Sequence, residues 1–258
     1  MNNVVSLSGG KDSTAMLHMM LDRGESIHSV LFFDTGWEFP EMYAHIDLIE
    51  QKTGLSITRI KSNKSFDHWM YRQRVRAKEG VMKGQVVRIG NGWPHTSRRW
   101  CTREKVQAMA KYERKVPDLV KCVGYASDEL HRYKPGLRYP LIEYGMTEAD
   151  CLKYCKGLGY NWCGLYDIFK RVSCWCCPLQ SLPNLRKLRK HRPELWDQLI
   201  EMDLRQPRGN QGFQGTKSVI DIETRFRQEE TRLGQGYKQL VLFPQPAKTN
   251  DFRAGMAV

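Results

Sequence analysis

A glycine-rich segment near the start of the chain carries the residue types that bind phosphate. The segment lies between an apolar run that predicts a strand and a periodic stretch that predicts a helix. Backbone N–H groups and the positive end of a helix dipole converge at such a turn, so the turn attracts phosphate. Lys11 can neutralise phosphate charge, and Asp12 can ligate Mg²⁺ through its carboxylate oxygens. The residues predicted to bind nucleotide here are Ser8, Gly9, Gly10, Lys11, Asp12 and Ser13.

A group of cysteines in the second half of the chain carries the residue type that binds soft metals. Cys174 and Cys177 have the C-x-x-C spacing, which lets two sulfur atoms reach one metal ion or cluster. Thiolate ligands select Zn²⁺ or an iron–sulfur cluster. A redox-active dithiol without metal and a set of unrelated thiols are the other interpretations. The residues predicted to ligate the metal are Cys101, Cys174, Cys176 and Cys177.

Strand and helix patterns alternate along the chain, and the elements that they predict must position both groups. This alternation predicts an α/β fold, with a doubly wound and mostly parallel sheet that is covered on both faces. The predicted strands cover residues 4–7, 29–33, 55–60 and 119–123, with a short extended piece at 139–142. The predicted helices cover residues 14–23, 39–53, 105–115 and 147–156. Such sheets bind ligands beyond the carboxyl ends of their strands, where the strand order reverses.

Three segments follow predicted strands, and we expect them to meet in one crevice. They are residues 8–13, 34–37 and 124–132. Asp34 ends the second strand, where an acidic residue of dinucleotide-binding folds bonds a ribose hydroxyl; a metal ligand or a turn cap are the alternatives. We predict that Asp34 and Gly124 bind the nucleotide. Arg132 is predicted to neutralise phosphate or substrate charge.

Composition divides the chain into three predicted parts. Residues 1–165 form the nucleotide-binding α/β domain, in which the aperiodic, basic stretch at about 64–100 is an insertion or a lid. Residues 166–205 hold the cysteine cluster and a helical stretch, which form a small Cys-containing helical C-terminal region. Residues 206–258 contain a linker at 208–215, a helix at 218–233 and a loose tail from Pro244.

The chain is strongly basic, with a formal net charge of +13 and a pI of about 9.4. Cations cluster between Trp69 and Lys105, interleaved with tryptophans, and again between Arg186 and Arg192. Such a surface suits DNA or RNA, with a small anionic substrate as the alternative. No run approaches the ~20 apolar residues of a membrane span, and no signal peptide precedes the first strand. We therefore expect a cytoplasmic protein with no membrane partner, whose eight cysteines are thiols or metal ligands.

Four motifs together resemble the phosphoadenosine phosphosulfate reductase family, a branch of the adenine nucleotide alpha-hydrolases. They are SGGKDS at 8–13, DTGWEFPE at 34–41, RWCTREK at 99–105, and GYASDE at 124–129 followed by Arg132. The resemblance covers about residues 4–180 and implies a Rossmann-like fold. The first motif is similar to the pyrophosphatase (PP) loop of enzymes that cleave ATP between its α and β phosphates. ATP and Mg²⁺ are therefore the implied cofactors.

Two departures from the family pattern separate this chain from the reductases of the family. Those enzymes use a nucleophilic cysteine near the C-terminus, and no cysteine follows Cys177 here. They also tend to carry an altered loop, whereas this loop keeps the pattern expected for ATP. The chain is more similar to ATP-using relatives, such as the enzymes of DNA phosphorothioation and of tRNA thiolation, which adenylate an oxygen and replace it with sulfur. Related sulfur-transfer enzymes hold a [4Fe–4S] cluster, which favours this cluster over Zn²⁺.

The resulting hypothesis is an ATP-dependent enzyme that adenylates an acceptor and transfers sulfur to it. Lys11, Asp12 and Arg132 are its predicted catalytic residues. Nucleic acid is its expected acceptor, and a cysteine desulfurase is a candidate sulfur donor. The alternatives are a reductase of phosphoadenosine phosphosulfate or adenylylsulfate, and a nucleotide- or nucleic-acid-binding module with a metal clip and no turnover. Release of pyrophosphate from ATP separates the first hypothesis from both alternatives.

Overall fold

The computed structural model describes residues 1–207 and 212–242, with side chains up to residue 232. Part of the predicted linker and the predicted tail from Pro244 lie outside these residues. Within the described ranges, six strands form two sheets. The strands are β1 (Asn2–Leu7), β2 (Ile27–Phe33), β3 (Ile57–Ile60), β4 (Arg74–Arg76), β5 (Val86–Ile89) and β6 (Leu119–Val123).

The larger sheet is parallel throughout and has the strand order β3-β2-β1-β6. The chain moves outward from β1 to β3 and then returns to the free side of β1 with β6. The strand order therefore reverses between β1 and β6. This reversal is the doubly wound arrangement expected from the alternating pattern, and it confirms the predicted α/β fold class.

Both faces of this sheet are buried, because consecutive residues of a strand point to opposite sides. Val5 and Leu7 of β1 belong to the larger core, whereas Val4 packs with Leu31 and Met109 on the other face. A strand that is buried on both faces is apolar at consecutive positions. This explains why the sequence shows continuous apolar runs rather than strict alternation.

The part of the chain that the structure describes contains nine α-helices. They are α1 (Lys11–Asp22), α2 (Pro40–Thr53), α3 (Trp100–Glu113), α4 (Pro140–Glu143), α5 (Glu148–Gly157), α6 (Leu165–Ile168), α7 (Leu182–His191), α8 (Pro193–Leu204) and α9 (Val219–Leu242). Across the described residues, no helix has the length and apolar character that a membrane crossing needs.

Local signals explain where two of the helices near the site begin and end. The Thr147 hydroxyl accepts a hydrogen bond from the Asp150 N–H at 3.2 Å, and the Asp150 carboxylate accepts one from the Thr147 N–H at 3.0 Å. This reciprocal capping box starts α5. Gly54 ends α2 in a left-handed conformation with a φ of 68°. The helices predicted at 147–156 and 39–53 are thereby confirmed.

Several predicted elements differ from those observed. The piece at 139–142 was expected to be extended, but Pro140 occupies the first turn of α4, where its fixed φ favours a helix. Helix α3 begins at Trp100 rather than at residue 105, because the buried Trp100 ring anchors its first turn and draws Cys101 into the helix. Helix α9 extends to residue 242, beyond the predicted end at 233.

The stretch predicted as an aperiodic insertion or lid has regular structure. It contains a π-helical turn at His68–Arg72 and an antiparallel hairpin, called the β4–β5 hairpin below. Arg74 of β4 pairs with Ile89 of β5 in this hairpin. The domain boundaries predicted near residues 165 and 205 stay predictions.

Candidate functional site

The loops that follow β1 and β6 touch at the point where the strand order reverses. A Cβ atom on Gly124, the first residue after β6, would lie 2.9 Å from Ser13 Cα and 3.1 Å from Ser13 N. Side chains do not approach a backbone this closely, so glycine is needed for the two loops to meet. The structure thus brings the predicted segments 8–13 and 124–132 to one crevice.

The loop at residues 8–13, called the phosphate loop below, is shaped by its serines and by one left-handed glycine. Gly9 has a φ of 76°, and a Cβ atom there would lie 2.8 Å from Met42 Cε. The Ser13 hydroxyl accepts a hydrogen bond from the Ser8 N–H at 3.1 Å and lies 3.0 Å from Ser8 Oγ. These contacts between two residues of the loop fix its curvature.

The start of α1 offers free hydrogen-bond donors at the crevice. In the described residues, the backbone N–H groups of Gly9, Asp12 and Ser13 have no hydrogen-bond partner. The free N–H groups and the positive end of the helix dipole favour an anion such as phosphate. The predicted helix start at Thr14 was too late, because Gly10 is the N-cap residue and the first turn already begins at residue 11.

The side chain of Lys11 lies between two carboxylates. Its Nζ atom is 2.7 Å from Asp12 Oδ1 and 2.6 Å from Glu148 Oε2, and 9% of the side chain is exposed. Burial opposes the charge of Lys11, but the two hydrogen bonds outweigh it and raise the pKa of Lys11. Burial also raises the pKa of Asp12, and it outweighs the opposing effect of Lys11. This arrangement keeps one cation charged beside a half-buried carboxylate.

Two aromatic residues hold the phosphate loop at backbone atoms. The Tyr166 hydroxyl accepts a hydrogen bond from the Lys11 N–H at 2.8 Å. The Trp162 indole N–H donates to the Gly9 carbonyl at 2.8 Å. Trp162 and Cys163 have φ values of 48° and 49°, which are costly for residues other than glycine. The strained turn therefore positions the ring that supports the loop.

Sequence reasoning missed three residues of this site, namely Glu148, Trp162 and Tyr166. They are 137, 153 and 155 positions away from their partners in the phosphate loop. The only local signal was the helix cap at residue 147, which indicates where a helix begins. It does not indicate that the next side chain reaches the phosphate loop.

Asp34 lies at the end of β2 and lines a cavity of about 450 Å³. Its carboxylate accepts hydrogen bonds from the Gly36 N–H and the Tyr43 hydroxyl, both at 2.8 Å, and lies 3.2 Å from Lys61 Nζ. Burial would raise the pKa of Asp34, but these three partners outweigh it and lower the pKa. The cavity has the size of a small-molecule pocket, roughly 300–1,000 Å³. Its walls include Trp37, Phe66, Trp69, Trp100, Cys101 and Glu104.

The third predicted segment reaches the start of α5, which carries Glu148. Asp128 Oδ1 accepts a hydrogen bond from the Glu148 N–H at 3.1 Å. Arg132 Nη1 donates to Glu129 Oε1 at 2.6 Å, and the guanidinium lies 3.9 Å from the centre of the Tyr125 ring. Within the described ranges, Arg132 forms no hydrogen bond with residues 8–13.

One of the four predicted metal ligands reaches the segment that follows β2. Cys174 Sγ donates to Glu38 Oε1 at 3.3 Å and lies 3.6 Å from Thr35 Oγ1. The Thr35 hydroxyl donates to the same Glu38 oxygen at 3.0 Å. Burial raises the pKa of Glu38, against the effect of these hydrogen bonds. Cys174 of the cysteine cluster therefore contacts the segment that follows β2.

The other three predicted ligands lie near one another. Cys101 is in the first turn of α3, and its charge contributes to the raised pKa values of Cys176 and Cys177. Burial is the main cause of the raised pKa at all four thiols. All eight cysteines are free. Among the described residues, no three or more His, Cys, Asp or Glu side chains are arranged to hold a metal ion. The metal assignment therefore stays a prediction.

The doubly wound parallel sheet and the phosphate loop at its switch point define a PP-loop α/β protein. The sequence model of the phosphoadenosine phosphosulfate reductase domain matches residues 2–180. The chain belongs to this family, as the four sequence motifs indicated. The family is named for an enzyme, which supports the interpretation of this chain as an enzyme.

Two uncharacterized proteins of Methanocaldococcus jannaschii are similar to this chain. One is 25% identical over 211 residues, which are 75% of this chain and 40% of that protein. The other is 25% identical over 220 residues, which are 76% of this chain and 46% of that protein. The chain therefore spans less than half the length of these relatives.

Two solved structures are similar to part of this chain at low sequence identity. One is a phosphoadenylyl-sulfate reductase from Candida auris in a phosphate complex, with a TM-score of 0.48 and 13% identity over 68% of this chain and 82% of that chain. The other is a U34-tRNA thiolase from Methanococcus maripaludis with its [4Fe–4S] cluster. Its TM-score is 0.41, with 14% identity over 78% of this chain and 70% of that chain.

Proposed function

We propose that this protein is an ATP-dependent enzyme that cleaves ATP to AMP and pyrophosphate, adenylates an acceptor and transfers sulfur to it. The observation that carries the proposal is the phosphate loop, in which Lys11 lies between Asp12 and Glu148 at the carboxyl end of β1. Free backbone donors, a charged lysine and a half-buried carboxylate are the groups that hold a pyrophosphate together with Mg²⁺.

The position of the phosphate loop favours cleavage between the α and β phosphates. When the leaving pyrophosphate occupies the free N–H donors, the α-phosphorus faces the crevice and the nucleoside extends toward Asp34 and its cavity. An acceptor oxygen attacks the α-phosphorus, the bond to the β-phosphate oxygen breaks, and pyrophosphate leaves. Lys11 stabilises the charge that develops on the leaving group, and Asp12 ligates Mg²⁺.

In the second step, a sulfur nucleophile bonds to the acceptor atom and AMP leaves with the acceptor oxygen. The contact between Cys174 and Thr35 supports delivery of sulfur from the cysteine cluster to this crevice. Four thiols match the ligand type of an iron–sulfur cluster and of Zn²⁺, so the donor chemistry fits either centre. When bound, a [4Fe–4S] cluster would supply Lewis-acid chemistry that activates sulfur, whereas Zn²⁺ would hold the chain segments together. Cys101, Cys174, Cys176 and Cys177 would hold it.

Nucleic acid is the acceptor that the charge of the chain favours. The net charge of +13 attracts a polyanion, and the cavity beside Asp34 has aromatic walls that can stack on a base. Sulfur then comes from inorganic sulfide or from a donor protein such as a cysteine desulfurase. In this proposal the protein acts in the cytoplasm, where thiols stay reduced.

The test is to incubate the metal-loaded protein with Mg·ATP, sulfide and either DNA or RNA. We expect AMP and pyrophosphate in equal amounts, formed only with an acceptor, and sulfur in the recovered nucleic acid by mass spectrometry. Lys11→Ala should abolish both products, whereas Lys170→Ala, a lysine outside the site, should not. Pyrophosphate release without sulfur incorporation would separate the adenylation step from the sulfur step.

The second candidate function is the reductase activity for which the family is named. Its support is Cys174, a thiol whose Sγ atom lies 3.6 Å from Thr35 Oγ1 in the segment that follows β2. That activity would release sulfite from phosphoadenosine phosphosulfate or adenylylsulfate in the presence of a thiol reductant. It needs neither ATP nor a nucleic acid. Sulfite release without any turnover of ATP would favour the reductase over the proposed enzyme.

A further inference from the structure

Two arginines at the base of the β4–β5 hairpin each have a buried Nε atom without a hydrogen-bond partner in the described residues. Arg88 is in β5, and Arg98 pairs with His95 through two backbone hydrogen bonds in the following turn. The Arg98 guanidinium lies 3.0 Å from His95 Nε2. In the described residues, neither arginine has an ion pair with an Asp or Glu.

The charges around this pair are not balanced. Burial of Arg88 and the charge of Arg98 lower the pKa of Arg88. Burial of His95 and the charges of both arginines lower the pKa of His95. A buried N–H group without an acceptor destabilises the folded protein. An anion bound at the outer nitrogen atoms of the guanidinium groups would supply negative charge that the described residues around these arginines do not. The pair therefore has the properties of an anion site.

The base of the hairpin is anchored, so the arginine pair is held in place. Asn91 donates its backbone N–H to the Trp69 carbonyl at 3.0 Å. Gly90 packs so closely that a Cβ atom there would lie 2.4 Å from the Met70 carbonyl oxygen. Met70 is fully buried in the larger core. The site thus lies on a rigid support, which lowers the cost of ordering it around a ligand.

The rest of the hairpin is basic and exposes aliphatic side chains. Between residues 72 and 89 the only acidic residue is Glu79. The cations are Arg72, Arg74, Arg76, Lys78, Lys83 and Arg88. The exposed aliphatic residues are Val81, Met82, Val86, Val87 and Ile89. An exposed two-stranded hairpin of this kind is marginally stable alone and gains from a partner that covers it.

These properties of the hairpin favour duplex DNA as the partner over single-stranded nucleic acids and duplex RNA. A two-stranded β-ribbon fits the major groove of B-DNA, where aliphatic groups contact thymine methyl groups. Single-stranded nucleic acids are bound by aromatic stacking, and residues 72–89 contain no aromatic residue. The major groove of duplex RNA is too narrow and deep for such a ribbon.

We propose that the β4–β5 hairpin docks on duplex DNA and that the Arg88–Arg98 pair holds one of its backbone phosphates. The biological meaning of this surface rests on the proposed function, in which a nucleic acid is the acceptor. Binding itself requires neither ATP nor sulfur. A failure of sulfur transfer and a failure of docking are therefore separate results.

The test is fluorescence anisotropy of a short labelled DNA duplex with the full chain, without ATP, over a range of salt concentrations. Arg88→Ala/Arg98→Ala should weaken binding roughly tenfold or more and lower the magnitude of the salt slope by about one. The matched control is Lys187→Ala/Lys190→Ala, which removes the same charge from exposed positions of α7. The control should weaken binding much less.

Thermal unfolding distinguishes a binding role from a structural one. Because the two cations repel each other in the free protein, we expect the double alanine variant to unfold at the wild-type temperature or above it. If that variant does not fold, Arg88→Lys/Arg98→Lys keeps the charge and should still weaken binding, because lysine cannot bind bidentately. Unchanged DNA affinity, or an equal loss in the control, would overturn the phosphate site. Equal or tighter binding of single-stranded DNA or duplex RNA would overturn the choice of partner.

Discussion

The ammonium group of Lys11 lies 2.6 Å from the carboxylate of Glu148, a residue 137 positions later in the chain. This ion pair connects the first turn of α1 to the first turn of α5, and so connects the phosphate loop to the opposite wall of the crevice. Without a ligand, Lys11 is thus neutralised by carboxylates. A bound pyrophosphate must compete with them for the same cation.

Glu148→Gln should tighten the binding of metal-free pyrophosphate. The change removes one negative charge from the surroundings of the phosphate loop. Since 43% of the Glu148 side chain is exposed, solvent screening limits the gain. We expect a dissociation constant about fivefold lower, on the order of 1 kcal/mol. Calorimetry with EDTA present measures it, and Asp167→Asn, an exposed carboxylate outside the crevice, is the control. An unchanged or higher dissociation constant would show that Glu148 does not compete with the anion.

Gly124→Ala should destabilise the protein and weaken nucleotide binding together. The new Cβ atom would meet the Ser13 backbone at 2.9 Å, and a backbone cannot rotate away as a flexible side chain can. We expect a loss of roughly 1–3 kcal/mol in the free energy of unfolding. The control is Gly157→Ala in α5, where a Cβ atom meets nothing within 4 Å and should stabilise the helix. Equal effects of both substitutions in urea unfolding would contradict the close approach of the two loops.

The sequence predicted the sheet and the phosphate loop because their signals are local. The strand at 119–123 has the predicted bounds, since an apolar run between polar residues defines it. The partners Glu148 and Tyr166 could not be predicted, because their roles depend on how distant segments pack. The start of α3 was missed for a related reason: burial of Trp100 extends the helix, and burial is a property of the folded chain.

The stability of the C-terminal helices should fall as acid protonates Glu223. Burial would raise the pKa of this carboxyl, but hydrogen bonds from Arg189, Arg227 and Trp196 outweigh it and lower the pKa from 4.5 to about 2. A lowered carboxyl pKa stabilises the folded state above pH 4.5, and this contribution disappears as the pH falls toward about 2.

Glu223→Gln should therefore lower the free energy of unfolding at neutral pH and flatten its decline in acid. The shift corresponds to roughly 3 kcal/mol. Urea unfolding at a series of pH values measures it, with Glu201→Gln on the exposed face of α8 as the control. If the variant has the same pH profile of unfolding free energy as the wild type, protonation of Glu223 does not cause the loss of stability in acid.

Cys174→Ser and Cys177→Ser should each lower the metal content of anaerobically purified protein. A serine hydroxyl is a weaker ligand for zinc or iron than a cysteine thiolate, so it cannot replace either cysteine of the C-x-x-C pair. Metal analysis and the visible spectrum measure the loss and distinguish iron from zinc. Cys163→Ser, at an exposed position away from the cluster, is the control and should keep its metal. Wild-type metal content in both cluster variants would rule out this ligand set.

The nucleotide product of ATP turnover tests the central claim most directly. ATP that is labelled at the α-phosphate is incubated with the protein, Mg²⁺, sulfide and the acceptor, and the labelled products are separated. We expect labelled AMP with an equal amount of pyrophosphate, and loss of both in Asp12→Ala, because the proposed mechanism assigns Mg²⁺ binding to this carboxylate beside Lys11. Labelled ADP as the product, or full activity of Asp12→Ala, would contradict the adenylation mechanism.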